Sequence, residues 1–225
     1  MHYSLENLLE HRNHGLKHSP FKALVAPRPI GWIGTISRAG VPNLAPYSFF
    51  NAVCDSPPMV MFSSAGRKDS LINVEETGEF TCSMASQALV DAMNLSSAPV
   101  AANVDEFELT DLATAPSLVV RPPRVAVSPS ALECRLWKTL VLPRTDESQV
   151  EHVVVFGHVV AIYIDDAYVK DGMVDTGAMH PLARMGYMDY SVVRPDTVFT
   201  LNRPIVTEDR QSATVRPGPW DGVYR

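Results

Sequence analysis

Between Ala131 and Leu142 the chain alternates in steps of two. Leu132, Cys134, Leu136, Leu140 and Leu142 fall on one side, with Glu133, Arg135, Trp137 and Thr139 on the other. Only an extended backbone sends successive side chains to opposite faces, so this stretch is expected to be a long strand. Further strands are expected at Ile30 to Ser37, Leu44 to Cys54, Met59 to Ser63 and Phe80 to Met84, where β-branched and aromatic residues concentrate between turn signals. Arg38-Ala39-Gly40 reads as a hairpin turn, and Asp55-Ser56-Pro57-Pro58 as a break. Val150 to Asp165 is apolar on both faces, which predicts a central strand covered on both sides and bent near Gly157. Short helices are expected at Ser4 to His11, Lys68 to Gly78 and Ser86 to Asn94 from caps and apolar spacing. The fold class that follows is mainly β with short helices, a barrel with helical decoration. One domain is expected over residues 26–200, after an N-terminal helical arm at 1–25 and before an extended tail at 201–225.

Charge and composition remove several function classes. With 46% hydrophobic and 20% charged residues, the 225-residue chain has the balance of a globular protein. The net charge of −6 argues against a general nucleic-acid surface, which needs a basic face. No apolar run is long enough to span a bilayer, and Met1 to His18 does not read as a secretory signal. Cys54, Cys82 and Cys134 are odd in number and widely spaced, so they are expected as small buried residues in a reducing compartment. A cytoplasmic protein without a membrane or nucleic-acid partner is therefore expected. His11, His14 and His18, with no carboxylate evident nearby, and the lone pair His152 and His158 are weak metal patterns; no metal site is assigned.

Chemistry concentrates in Met59-Val60-Met61-Phe62-Ser63-Ser64-Ala65-Gly66-Arg67-Lys68-Asp69-Ser70. A strand delivers two hydroxyls, a glycine turn follows, and Arg-Lys opens an expected helix. Helix N-termini carry unpaired N–H groups and partial positive charge, so they stabilise anions. Ser63, Ser64 and Ser70 offer hydroxyls, Arg67 a two-donor fork and Lys68 a point charge, a set suited to a phosphate monoester. The same residues also fit a solvated turn with capping serines. The segment is not a Walker A loop, because Asp69 stands where that motif needs Ser or Thr.

Several ordered segments resemble the flavin reductase-like family of FMN-binding split barrels, in its flavoprotein-oxygenase-associated branch. They include Arg28-Pro29-Ile30-Gly31-Trp32-Ile33-Gly34-Thr35, Asn43-Leu44-Ala45-Pro46-Tyr47-Ser48-Phe49-Phe50-Asn51, Pro57 to Ser64 and Arg67-Lys68-Asp69. Gly78-Glu79-Phe80, Ser97-Ala98-Pro99, Asp105 to Glu108, Pro122 to Val125 and Leu132-Glu133-Cys134 continue it, so that it covers Ala26 to Tyr190. The resemblance implies an antiparallel FMN-binding split β-barrel and a homodimer with FMN near the subunit interface. It implies that Pro46, Tyr47 and Ser48 run along the flavin ring, with Asn51 in the same segment. Ser63, Ser64, Arg67, Lys68 and Ser70 match its phosphate loop; Ser70 replaces the threonine many relatives carry and keeps the hydroxyl. His180-Pro181-Leu182-Ala183-Arg184 resembles the family's late Pro-Leu/Ile-Ala-Arg stretch, which makes His180 and Arg184 candidates for substrate or flavin contact. A loop histidine and a structural ion pair are the alternatives for these two.

The activity implied is a flavin-dependent oxidoreductase in which NAD(P)H passes hydride to the flavin. Such transfer needs orientation more than an acid or base, consistent with the lack of a defensible triad or carboxylate pair. No GxGxxG is present, so a nicotinamide has to bind in an open groove over the flavin. Catalytic side chains are not assigned. A monooxygenase or another redox protein is the partner expected. The alternatives are an FMN-binding electron-transfer protein with little NAD(P)H activity and, less consistent with the motifs, a relative of pyridoxamine-phosphate oxidases.

Overall fold

The computed structural model describes residues 1–147 and 149–223; Ser148, and Tyr224 and Arg225 at the end of the expected tail, lie outside the described residues. Two single-turn helices, α1 (Glu10–Asn13) and α2 (Phe21–Leu24), precede strands β1 (Arg28–Pro29), β2 (Gly31–Ile36), β3 (Pro42–Tyr47), β4 (Phe50–Asp55) and β5 (Pro58–Ala65). Helix α3 (Asp69–Thr77) leads into β6 (Glu79–Met84), followed by α4 (Val90–Leu95) and α5 (Glu106–Leu109). A small clip of β7 (Thr114–Ala115) with β8 (Arg124–Val125) precedes the long hairpin of β9 (Ser130–Val141) and β10 (His152–Ile164). A second clip, β11 (Val169–Lys170) with β12 (Met173–Val174), is followed by β13 (Leu182–Arg184) and β14 (Tyr190–Val192). The tail holds one more clip, β15 (Ile205–Val206) with β16 (Ala213–Thr214).

The main sheet runs β3-β2-β6-β9-β10-β5-β4, and its two edge strands are consecutive in the chain. Laid flat, seven strands would place those edges about 29 Å apart. Three Cα steps from Tyr47 to Phe50 span at most about 11 Å. The sheet therefore has to curl until its edges approach, with the split at Ser48 and Phe49. There the Ser63 N–H donates to the Phe49 carbonyl at 2.9 Å, and the Tyr47 ring lies 4.7 Å from that of Phe62. The curl leaves no room for a side chain at Gly31, whose Cβ would lie 2.4 Å from the Phe50 ring.

Ile33, Phe62, Phe80, Cys134 and Val155 fill the interior, and α3 closes it with Leu71 and Val74, both fully buried. Gly78 ends α3 in the left-handed conformation at φ 76°. A second cluster on the other side of β2 joins Trp32 and Leu44 to Met93 of α4, Phe107 of α5 and Leu182 of β13. A small sheet of β1-β13-β14 lies beside it.

The strand covered on both faces is consequently β2, not the Val150–Asp165 segment. The helices pack over β2 and β3 and leave the outer face of β10 only partly covered, with Phe156 and His158 half-buried. The single returning strand expected over Leu44–Cys54 is two strands at opposite edges, because the split falls inside it. In β9, a register shift at Trp137 breaks the alternation, so Leu140 ends up exposed. Glu133 on the expected polar face is buried, its carboxylate accepting the N–H groups of Leu118, Val119 and Val120 at 2.6–3.2 Å. Cys82 and Cys134 are buried as expected, but Cys54 is exposed on edge strand β4. The expected helix at Ser4–His11 shortens to the four-residue α1, which starts six residues later; the Asn7 side chain instead accepts the Leu9 N–H in a local turn.

Candidate functional site

Beside β3 lies a cleft of about 340 Å³, bounded by Pro46 and Tyr47, by Lys68 and Ser70 at the start of α3, and by Ser97 and Glu106. Strand β3 is a sheet edge, so one line of its backbone groups faces the cleft without a strand partner. Pro46 is tolerated there because an edge strand does not need its missing N–H. The opposite wall is held by Trp32, whose buried indole N–H donates to the Ser96 hydroxyl at 2.9 Å.

The first turn of α3 supplies positive character. The Ile72 N–H returns to the Lys68 carbonyl at 3.0 Å, which leaves the N–H groups of Asp69, Ser70 and Leu71 without intrahelical acceptors. No side chain caps this end. Arg67 and Lys68 are exposed at its mouth. Lys68 forms no ion pair among the described residues, whereas Arg67 pairs with Glu75 at 2.6 Å. Gly66 turns the chain at φ 79°, and the buried Ser64 hydroxyl braces that turn by donating to the Gly66 carbonyl at 2.8 Å.

Beneath the cleft is a buried polar network. Asn43 Oδ1 accepts from the Ser70 and Thr35 hydroxyls at 2.9 and 3.2 Å, and its amide donates to Glu106 at 2.9 Å. Glu106 also accepts the Leu44 N–H at 3.0 Å, so a single carboxylate ties α5 to β3. Burial pushes its carboxyl above the ordinary range, against the opposing effect of these hydrogen bonds. The Tyr47 hydroxyl is buried without a hydrogen-bond partner. Burial raises its pKa as well, partly offset by the nearby Ser70 and Ser64 hydroxyls, so it remains a protonated donor.

A second cavity of about 150 Å³ continues the cleft through the shared residues Pro46 and Ser97, and is lined by Ser48, Asn94, Arg184 and Tyr190. The two form one trough with Lys68 at one end and Arg184 at the other. Of the residues singled out from sequence, Pro46, Tyr47, Ser48, Arg67, Lys68, Ser70 and Arg184 line it. Ser63 lies on β5 and Ser64 behind the turn. Asn51 is exposed on β4, its side chain accepting the Ala52 N–H. His180 is half-buried at φ 49°, its carbonyl accepting the Gln87 N–H, and lines neither cavity. Sequence reasoning assigned no role to Asn43 and Glu106; both stand inside the segments that carried the family resemblance. A larger hollow of about 750 Å³ lies under the N-terminal arm between Leu5, Leu8, Phe21 and Leu24. Its lining has no Lys or Arg, unlike that of the trough.

Comparison with known proteins identifies the family and the fold. An uncharacterized protein of Aquifex aeolicus is 36% identical over 169 residues, covering 72% of this chain and 83% of that protein. Nitrilotriacetate monooxygenase component B of Bacillus cereus superposes with a TM-score of 0.78 at 28% identity, over 89% of this chain and 98% of that one. The 2-nitrobenzoate 2-nitroreductase of Pseudomonas fluorescens, at 24% identity, shares the fold with a TM-score of 0.77 over 92% and 100% of the two chains. Residues 24–183 match the model of the flavin reductase like domain, and the chain belongs to that flavin reductase-like, split-barrel family.

Proposed function

We propose that the trough holds FMN and that the protein is an oxidoreductase acting with NAD(P)H. The observation that carries this reading is the trough's polarity. One end has free helix N–H groups with Lys68 and Arg67, and the edge backbone of Pro46–Ser48 runs from it toward Arg184. The combined size falls within the range of small-molecule sites. Lys68, Arg67 and the Asp69–Leu71 N–H groups would hold the phosphate, and the orphaned Tyr47 hydroxyl is a further donor beside them. When bound, FMN supplies a ring that accepts hydride and passes electrons on. The chain's part is to bind, orient and leave one side open for the nicotinamide.

The working unit proposed is a homodimer. Trp137 is 59% exposed on the outer face of β9, with the half-buried Phe156 and His158 of β10 against it, Phe156 edge to face at 6.1 Å. A soluble monomer rarely exposes such a patch, and a second copy offers the same apolar surface in return. Trp137→Glu should split the dimer in sedimentation; an unchanged mass would place the interface elsewhere. We place the protein in the cytoplasm, with a monooxygenase or another redox protein as electron acceptor.

The test is an absorbance spectrum after FMN addition and removal of excess, followed by anaerobic NADH and then NADPH. A retained flavin band that either nucleotide bleaches is expected. A retained band that neither bleaches would refute NAD(P)H use.

A further inference from the structure

The small sheet sets two arginines face to face. Arg28 of β1 and Arg184 of β13 are direct partners in an antiparallel register, so their side chains leave the sheet on the same side. Like charges opposite one another destabilise a sheet, and here no carboxylate relieves them. Arg38, Arg67, Arg121 and Arg216 each pair with a carboxylate, but among the described residues neither Arg28 nor Arg184 does. Arg28 is 7% exposed and held by the carbonyls of Lys22, Val25 and Met185, with its Nε–H buried and unpartnered. Burial and the neighbouring Arg184 both pull its pKa down. A third cation stands close: the Lys22 ammonium and the Arg28 guanidinium both lie about 6 Å from the centre of the Phe49 ring.

Arg184 faces the ring end of the trough. Tyr190 of β14 fixes it, with the guanidinium 4.6 Å over the ring and an N–H given to the phenol oxygen; the Tyr187 carbonyl and the Met188 sulfur take two more. A guanidinium has five N–H donors, so two have no partner among the described residues. The second cavity opens directly onto it.

We propose that Arg184, with Arg28 behind it, forms an anion subsite at the ring end of the trough that takes the charged oxygens of the second substrate. This rests on the flavin reading for what lies beside the subsite, but the unbalanced arginine pair is independent of it. A planar carboxylate and a phosphate both present oxygens that a guanidinium fork matches. The substrate class is therefore an organic anion, either a carboxylate-bearing acceptor or the phosphates of a nicotinamide dinucleotide. Arg28 acts as a positioning residue, since it is enclosed and lines neither part of the trough.

The test uses FMN-loaded protein titrated with benzoate and with its neutral isostere benzamide, followed by the flavin difference spectrum. Benzoate should bind at least about tenfold more tightly, and Arg184→Ala should erase that preference while Arg184→Lys retains part of it. Half-saturation by NADH is compared with that by an uncharged N-methyl dihydronicotinamide. A rise for NADH alone in Arg184→Ala assigns the dinucleotide phosphates to the subsite; loss of the benzoate preference alone assigns a carboxylate acceptor. Equal binding of benzoate and benzamide, with NADH saturation unchanged in the variant, overturns the proposal. Benzoate protection against thermal unfolding is also read without flavin. If FMN fails to bind while Arg184-dependent protection persists, the flavin reading falls and the subsite stands. FMN binding with no anion preference has the opposite meaning.

Discussion

Glu75 should restrain FMN binding, and its removal should tighten it. In the present structure Arg67 does not reach into the cleft unopposed; its guanidinium is committed to Glu75 at 2.6 Å, with 58% of the arginine side chain exposed. A pair this open contributes at most about 1 kcal/mol, because solvent screens it. To grip a phosphate, Arg67 has to give up that pair, so its net contribution is what a charge-assisted hydrogen bond adds beyond it. Such a bond contributes about 1.5–3 kcal/mol, and exposure favours the lower end. Lys68 has no carboxylate to release, so Lys68→Ala should weaken FMN binding about tenfold, and Arg67→Ala by less. Glu75→Gln frees Arg67 and should tighten FMN by up to about fivefold. Quenching of flavin fluorescence, with FMN and riboflavin titrated in parallel, reads all three variants. Riboflavin lacks the phosphate and should respond to none of them. Equal changes for the two ligands, or weaker FMN binding in Glu75→Gln, would show that the start of α3 does not hold the phosphate.

Glu133→Ala strips three backbone N–H groups of their acceptor, and a loss of about 3 kcal/mol or more is expected in urea unfolding; a loss under about 1 kcal/mol would mean that water replaces the carboxylate. Gly31→Ala drives a methyl to within 2.4 Å of the Phe50 ring and should cost about 1–3 kcal/mol, with Phe50→Leu in the same chain recovering most of it; additive losses would refute the contact. Burial holds the Glu106 carboxyl above its ordinary range, so the native protein keeps this proton to higher pH than the unfolded chain does, and stability falls as pH rises from the unfolded value toward the folded one. Glu106→Gln removes that loss, so its melting temperature should gain on the native protein between pH 4 and pH 7; a constant difference across that range would show that Glu106 is not perturbed.

What was legible from sequence is what a single segment encodes by itself. The Phe80–Met84 strand appears within a residue of its place, and Lys68–Gly78 becomes α3 with Gly78 as its left-handed stop. The cationic start of α3 was readable because a turn glycine, two cations and a helix start are contiguous. Errors arise where a residue's environment is set by a distant part of the chain. Alternation alone marks Glu133 as solvent-facing, yet the 118–120 backbone folds over it and supplies three donors. Val150–Asp165 has enough apolar residues for two covered faces, but the helices that would cover its outer face go to β2 instead.

The same reasoning explains why the two ends of the trough differ in legibility. Lys68 and Ser70 are neighbours in sequence, so their joint chemistry can be seen before any folding. Arg28 and Arg184 are separated by almost the whole barrel; the family resemblance made Arg184 a candidate contact, but nothing in either segment pairs the two. Only the register of β1 on β13 shows that each faces another arginine. The small sheet sits beside the split, with β1 against β4 and Pro46 of β3 and Arg184 of β13 lining one cavity. Water can satisfy the edge backbone and the helix N–H groups, but the facing arginines are a cost to a chain that binds nothing. Their convergence along one trough is what a site for a doubly anionic cofactor and a charged second substrate requires.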